Sequence, residues 1–288
     1  MASKAVAIPV YILKRWGIHI FIVGVSIFLL LLVHRKVYEC FLQDSRYSIG
    51  LDAFNLANCP NWMLDEQLKE SVTTSLNCTI KTSIFDENLI PKLREHYEGN
   101  PWVKEVRLIE RRLPNDLKIN LEMRRPYVAK MRNSRGVDNY YLVDKDSVRL
   151  PGEYKALPAM PMTLPILTGV RTNPPAAGEM WDDNGLNSAI NIVARLESNK
   201  LLEPLQLSQI DVANVGGKRN QRETEIVLYT RNRVRIEWGR SPDTDKFGEL
   251  SVDDKIKNIK LVLDVCPELK GIKYVKVQFD QPYIALEK

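Results

Sequence analysis

An apolar run near the N-terminus constrains this chain most. Residues 17–33 read GIHIFIVGVSIFLLLLV, and only His19 and Ser26 in that run are polar. A run of about 17 to 25 apolar residues is long enough to cross the hydrocarbon core of a bilayer as a helix. The pattern therefore predicts a single transmembrane anchor over residues 15–36.

A cleaved signal peptide is the alternative interpretation of this run. A signal peptide has a shorter apolar core followed by small residues at a cleavage site, whereas here the run continues into HRKVY at residues 34–38. We therefore expect an uncleaved anchor. Three basic side chains precede the run and two follow it. The positive-inside rule then predicts a cytoplasmic tail over residues 1–14, with the part after residue 36 on the opposite side of the membrane.

The charge distribution argues against a nucleic-acid partner. The net charge is +5, but residues 1–36 hold five of the 41 Lys and Arg residues and none of the 36 Asp and Glu residues. The remainder of the chain is thus formally neutral. A nucleic-acid-binding protein would need a basic patch or stripe.

No motif in the sequence predicts an enzyme. The H-E-x-x-H, G-x-S-x-G and P-loop patterns are all missing from the sequence. The Asp pairs at 182–183 and 253–254 fit helix starts, where carboxylates favour the dipole. We expect His96 to be exposed, Trp102 and Trp238 to be core residues, and no catalytic, metal-binding or cofactor-binding residue and no small-molecule substrate.

The four cysteines are not arranged as a metal site. They are Cys40, Cys59, Cys78 and Cys266, and their spacing matches no zinc pattern. A Cys59–Cys78 disulfide and isolated half-buried thiols both stay open.

The first part of the exported chain predicts a β-α-α-β-β order. Residues 47–56 have strand character, and residues 64–76 and 87–97 have helical apolar spacing. Residues 103–110 and 117–124 predict a hairpin. Its second strand alternates, with Leu117, Ile119 and Leu121 apolar and Lys118 and Asn120 polar, which is typical of a strand with one buried face.

The second part predicts a mixed, mostly antiparallel sheet with helices on one face, so the fold class is α+β. Six prolines between residues 151 and 175 disfavour helix there. That stretch is either a linker or, at its apolar part 164–170, a segment laid against a core. The predicted helices cover residues 186–197 and 252–265, and the predicted strands cover parts of 127–150 and residues 207–212, 224–230, 234–238, 274–279 and 283–286.

Several short motifs follow one another in a recognisable order. They are Pro101-Trp102-Val103, Arg111-Arg112-Leu113-Pro114, Arg124-Arg125-Pro126, Trp238-Gly239-Arg240 and the strand Tyr274–Asp280. Together with the anchor, they resemble the FtsQ/DivIB family of bacterial cell-division proteins. The family usually has aspartate and arginine where this chain has Lys276 and Gln278.

The resemblance implies the domain organisation and a function. It implies a POTRA-like domain over residues 45–126 and a β-domain over residues 127–288. It implies a non-enzymatic bitopic scaffold of the divisome that works at the septum, or division site, and binds other division proteins. The partners that it implies are coiled-coil proteins of the FtsB and FtsL kind, and it implies no cofactor.

The resemblance also places partner binding in and after the final motif strand. The residues implied are Lys276, Val277, Gln278, Phe279, Asp280, Gln281 and Tyr283. We expect Val275, Val277 and Phe279 to face the core, and an exposed strand edge to pair with a partner strand. We also expect Lys276→Glu and Gln278→Glu to weaken recruitment at unchanged stability.

Two alternatives to the scaffold stay open at the level of sequence. One is a membrane-anchored envelope enzyme, such as a peptidoglycan hydrolase, whose site carries no short motif. The other is a POTRA chaperone of envelope assembly, although such proteins normally carry repeated POTRA units and a long barrel.

Overall fold

The chain is an α+β protein with an N-terminal apolar helix and a large, mostly antiparallel sheet. The computed structural model describes residues 7–50, 60–78, 81–134, 136–242 and 248–287. The helices are α1 Ala7–Gln43, α2 Glu66–Leu76, α3 Leu89–Glu98, α4 Asn184–Ser198, α5 Leu202–Leu205 and α6 Val252–Val265. The strands are β1 Ser48–Gly50, β2 Lys81–Ser83, β3 Val103–Arg112, β4 Asp116–Met123, β5 Pro126–Ser134, β6 Val137–Asp144, β7 Ile166–Thr168, β8 Leu207–Asp211, β9 Ile226–Thr230, β10 Arg235–Gly239, β11 Ile272–Lys276 and β12 Tyr283–Leu286.

Helix α1 contains a stretch, His19–Gln43, that is apolar and long enough to cross a membrane. Its large apolar side chains are exposed, for example Phe21 and Leu30. The Ser26 hydroxyl donates to the carbonyl of Ile22 at 2.9 Å, so the helix itself satisfies this polar group. The helix continues past residue 36, where the predicted anchor ends.

The chain divides into two compact units that interleave along the sequence. The first unit covers residues 1–52, 78–95 and 108–120, and the second covers residues 53–77, 96–107 and 121–288. The predicted domain limits at 45–126 and 127–288 stay predictions.

In the first unit, β1 pairs antiparallel with β2. The strand predicted over residues 47–56 is seen at Ser48–Gly50. Tyr47 lies in a short 3₁₀ turn, and residues 51–56 lie outside the described residues. Strand β2 was not predicted, because Lys-Thr-Ser carries no apolar pattern. Along residues 48–123 the observed order is therefore β-α-β-α-β-β. Strands β1–β2 and β3–β4 form separate two-stranded sheets.

The alternation predicted for β4 is confirmed, but its apolar face is only half-buried. Leu117, Ile119 and Leu121 are intermediate in exposure, whereas Lys118 and Asn120 are exposed. Lys118 and Asn120 thus lie on the exposed face of the strand, as the sequence predicts.

The second unit is built on an eight-stranded sheet in the order β12-β11-β10-β9-β8-β7-β5-β6. Three neighbour pairs are parallel: β10 with β11, β7 with β8, and β5 with β7. Strand β7 comes from the proline-rich stretch, and its Leu167 is fully buried. The apolar part of that stretch is thus a sheet strand.

Helices α4 and α6 share one apolar cluster with the sheet. Buried residues of both helices pack with alternate residues of the central strands, including Ile226, Leu228 and Ile236. Asp183 caps α4 by accepting from the amides of Gly185 and Leu186, as its position before the helix predicts. The predicted core tryptophans Trp102 and Trp238 are confirmed, since both are 0% exposed.

The surroundings of His96 and Cys78 bear on two of the predictions. His96 was expected to be exposed, and this is wrong: it is half-buried, its Nε2 atom is shielded from solvent, and its ring packs edge-on against Tyr97 at 5.2 Å. Cys59 lies outside the described residues, so the Cys59–Cys78 pairing stays open. Burial raises the pKa of the Cys78 thiol.

Candidate interaction surface

The candidate partner-binding residues lie at one end of the large sheet. Strand β11 pairs parallel with β10 on one side and antiparallel with β12 on the other. Lys276 is the last residue of β11, and Tyr283 is the first residue of β12 and its partner in the ladder. The two candidate residues Lys276 and Tyr283 therefore lie side by side in the sheet.

Lys276 is held by a buried carboxylate. Its partner in β10 is Glu237, which is 7% exposed. The Lys276 Nζ atom lies 3.3 Å from Glu237 Oε2, and the Arg235 Nη2 atom lies 3.4 Å from Glu237 Oε1. The Thr224 hydroxyl donates to Glu237 Oε2 at 3.2 Å. Lys276 therefore has a structural partner within the chain besides any role in binding.

The segment after Lys276 leaves the sheet, and a side chain of α6 hydrogen-bonds to its backbone. The amide of Val277 donates to the Glu237 carbonyl at 3.1 Å. The Asn258 side chain, buried in α6, then donates from Nδ2 to the carbonyls of Val277 at 3.1 Å and Phe279 at 2.7 Å. One buried amide thus fixes the course of the chain through this bend.

The expected burial is confirmed for Val275 and Val277 and is wrong for Phe279. The two valines are 1% and 0% exposed, whereas Phe279 is 50% exposed. The alternation ends because β11 stops at Lys276 and residues 278–280 form a bend. The bend turns the Phe279 ring towards solvent.

The remaining predicted residues form an exposed rim. Gln278 is half-buried, and Asp280 and Gln281 are exposed. Tyr283 is 53% exposed, and its ring lies 5.9 Å from that of Tyr274. A hydrogen bond to the Tyr283 hydroxyl raises the pKa of Tyr274.

The free backbone edge belongs to β12 rather than to β11. Strands β12 and β6 are outermost in the sheet. The outer edge of β6 makes bridges to Tyr154 and Arg149. Among the residues that the structure describes, no strand pairs with the outer edge of β12. The sequence predicts the free strand edge at residues 274–280, but in the structure the free edge is that of the next strand, β12.

A charged cleft of about 630 Å³ opens beside the bend that follows β11. Glu249, which lines the cleft, pairs with the buried Lys255, and the Lys255 ammonium lies 5.3 Å from the centre of the Trp238 ring. Burial lowers the pKa of Lys255, and Glu249 opposes part of this shift. The cleft is lined by residues 221–225, Arg235, Glu237, Gly239, Arg240, Gly248, Glu249, Lys276, Gln278 and Phe279.

Sequence reasoning missed Glu237 and Asn258, which position the candidate residues. Glu237 carries a weak signal, because it is a charged residue between the apolar Ile236 and Trp238 of a strand. Asn258 carries a similar one, as a polar residue on the apolar face of a helix. Neither signal identifies the partner residue, because both contacts join segments that are far apart in sequence.

The part of the chain that the structure describes contains no candidate metal site. No three His, Cys, Asp or Glu side chains lie close enough together there to hold an ion. The sequence matches no protein-family model and no curated protein.

Proposed function

We propose that this chain is a non-enzymatic bitopic scaffold of the bacterial cell-division machinery. Helix α1 anchors it in the cytoplasmic membrane, with a POTRA-like domain and a β-domain on the periplasmic side. These domains recruit other division proteins, of the FtsB and FtsL coiled-coil kind, to the division site. The ordered series of motifs and the apolar helix support this proposal.

The open edge of β12 is the observation that carries the proposal. An edge strand presents unpaired N–H and C=O groups, which a second strand can satisfy. β12 is four residues long and has exposed apolar side chains at both ends, Tyr283 and Leu286, at 53% and 67%. A partner strand would gain backbone hydrogen bonds along β12 and would cover these two side chains.

The bend before β12 supplies the specificity in this proposal. Phe279, Asp280 and Gln281 project from a segment that Asn258 holds in place. A backbone segment that is already held in place has less conformational entropy to lose on binding. Backbone pairing at β12 would then give affinity, and the rim would select the partner.

Site-specific photocrosslinking in dividing cells tests the proposal. A photoreactive amino acid replaces Leu286 in β12 or, as a control, Leu261 in α6, which is 54% exposed. We expect the probe at 286 to crosslink to a small coiled-coil division protein and the probe at 261 to give no such product. Equal crosslinking from both positions, or products unrelated to division, would exclude β12 as the recruiting edge.

A further inference from the structure

The end of helix α1 packs against the loop around Phe85 within the first unit. Phe41 of α1 lies 5.5 Å from Tyr47 and 5.3 Å from Phe85, and those two rings are 5.0 Å apart. The Tyr38 hydroxyl donates to the Phe85 carbonyl at 3.1 Å, and the Ser83 hydroxyl donates to the Phe41 carbonyl at 3.2 Å. The end of the helix and the loop around Phe85 are therefore in direct contact within this unit.

This aromatic cluster lies at the depth of the lipid headgroups if α1 spans a membrane. A span of about 20 residues counted from Gly17 ends at Lys36. Phe41 follows five residues later, which is about 8 Å of helix. The headgroup layer is about 5 to 8 Å thick on each side of the bilayer. Tyr and Trp side chains favour this layer because one end of the ring is apolar and the other is wet, and Tyr47 belongs to this cluster.

The tip of the β3–β4 hairpin is tied to the same loop. The Arg111 guanidinium donates from Nη2 to the carbonyl of Asp86 at 2.6 Å. Asp86 directly follows Phe85, which packs on Phe41. The contact chain from α1 to the hairpin tip thus passes through two adjacent residues, and it lies wholly within the first unit.

The tip itself carries an apolar side chain beside two cations, and the exposed Glu110 and Asp116 lie at its base. Leu113 is 68% exposed, and Arg111 and Arg112, both exposed, precede it. An exposed leucine beside two guanidinium groups can insert its side chain at the acyl boundary while the cations reach phosphate oxygens. Each Lys or Arg near an anionic surface contributes about 1 kcal/mol, or roughly five-fold in occupancy.

We infer that the Arg111–Pro114 tip is a second membrane contact, which binds the anionic lipid surface beside the anchor helix. This inference rests on the membrane anchoring in the proposed function. Two contacts, the helix and the tip, would fix the orientation of the first unit on the bilayer, since one helix alone leaves rotation about its axis open.

Spin labels on the full chain in vesicles of phosphatidylethanolamine and phosphatidylglycerol test this contact. The native cysteines are changed to serine, and single cysteines carry the label at Leu113, Met180 or Phe28. Leu113 and Met180 are matched, since both are 68% exposed. The readout is the collision rate of each label with a nickel chelate attached to the lipid headgroups and with oxygen, which concentrates in the acyl region.

We expect the label at 113 to collide with the headgroup-bound nickel more often than the label at 180. Arg112→Glu should lower the immersed population of the 113 label about five-fold or more. Lys145→Glu, which makes the same change in net charge at another exposed position, should leave that population unchanged.

The label at Phe28 separates the two ways of failing. If it reports the acyl region while the 113 label matches the 180 label, the tip contact is overturned and the anchor is retained. If the 28 label reports water, membrane anchoring fails, and the tip contact fails with it. An Arg112→Glu variant with unchanged immersion would also overturn the contact with anionic lipid.

Discussion

A single buried amide, that of Asn258, holds the bend that carries the candidate binding residues. Asn258→Ala would leave the carbonyls of Val277 and Phe279 without their donor in a shielded position. Leaving buried acceptors unpaired costs about 1–3 kcal/mol. We expect that loss in the free energy of unfolding, measured by urea titration of the detergent-solubilised chain. Lys257→Ala, at an exposed neighbouring position, should change it by less than about 0.5 kcal/mol. Equal losses would mean that Asn258 does not support the bend.

The contact between Lys276 and Glu237 changes what a substitution at Lys276 can test. The sequence predicts that Lys276→Glu weakens recruitment at unchanged stability, but Glu237 is buried and faces Lys276 across the ladder. A glutamate at 276 would remove a cation from a buried carboxylate and add a second negative charge. We therefore expect Lys276→Glu to lower the free energy of unfolding by about 1–2 kcal/mol, a modest value because the lysine is partly exposed.

Lys273→Glu is the matched control for this prediction. Lys273 lies on the same strand and is exposed, so its charge reversal should cost less than about 0.5 kcal/mol. If urea titration shows no difference between the two variants, the Lys276–Glu237 pair does not contribute to stability. Any loss of recruitment by Lys276→Glu must be interpreted against this stability change.

At the scale of elements, the apolar periodicity of the sequence predicts the long helices correctly. The apolar spacing of α4 and α6 placed both helices to within two residues of their observed limits, and β12 was placed at 283–286 as observed. Each of these segments carries its own pattern. The short elements β2 and α5 carry none, because three strand residues or four helix residues contain little more than one period, which is too few to establish a pattern.

The sheet edge could not be read from the sequence for a different reason. Which strand is outermost depends on pairings between β10, β11 and β12, and local pattern does not specify neighbours. The early end of β11 is a tertiary effect too, since Asn258 in α6 takes up the carbonyls of residues 277 and 279. Five of the predicted site residues therefore lie between strands: Val277, Gln278, Phe279, Asp280 and Gln281.

The β3–β4 hairpin allows a test of burial at the scale of one element. Ile119→Ala should cost about 1–2 kcal/mol, less than the 2–5 kcal/mol of a fully buried isoleucine, because Ile119 is only half-buried. Lys118→Ala, on the exposed face, should cost less than about 0.5 kcal/mol. The measurement is the free energy of unfolding from urea titration. Equal effects at the two positions would show that the alternation does not reflect burial.

At the scale of the whole molecule, the account predicts the topology of the chain. Protease added to spheroplasts should digest the part that follows α1, because that part is expected outside the cytoplasm. A tag at the N-terminus should survive until the membrane is permeabilised. Protection of the C-terminal part together with loss of the N-terminal tag would show the opposite orientation.

The central claim is that this membrane-anchored chain is a scaffold of cell division. The measurement that tests it most directly is the position of the full chain, fused at its N-terminus to a fluorescent protein, in dividing bacterial cells. The account predicts a band at the division site that appears before constriction is complete. Uniform fluorescence around the envelope at every stage of the cell cycle would contradict it.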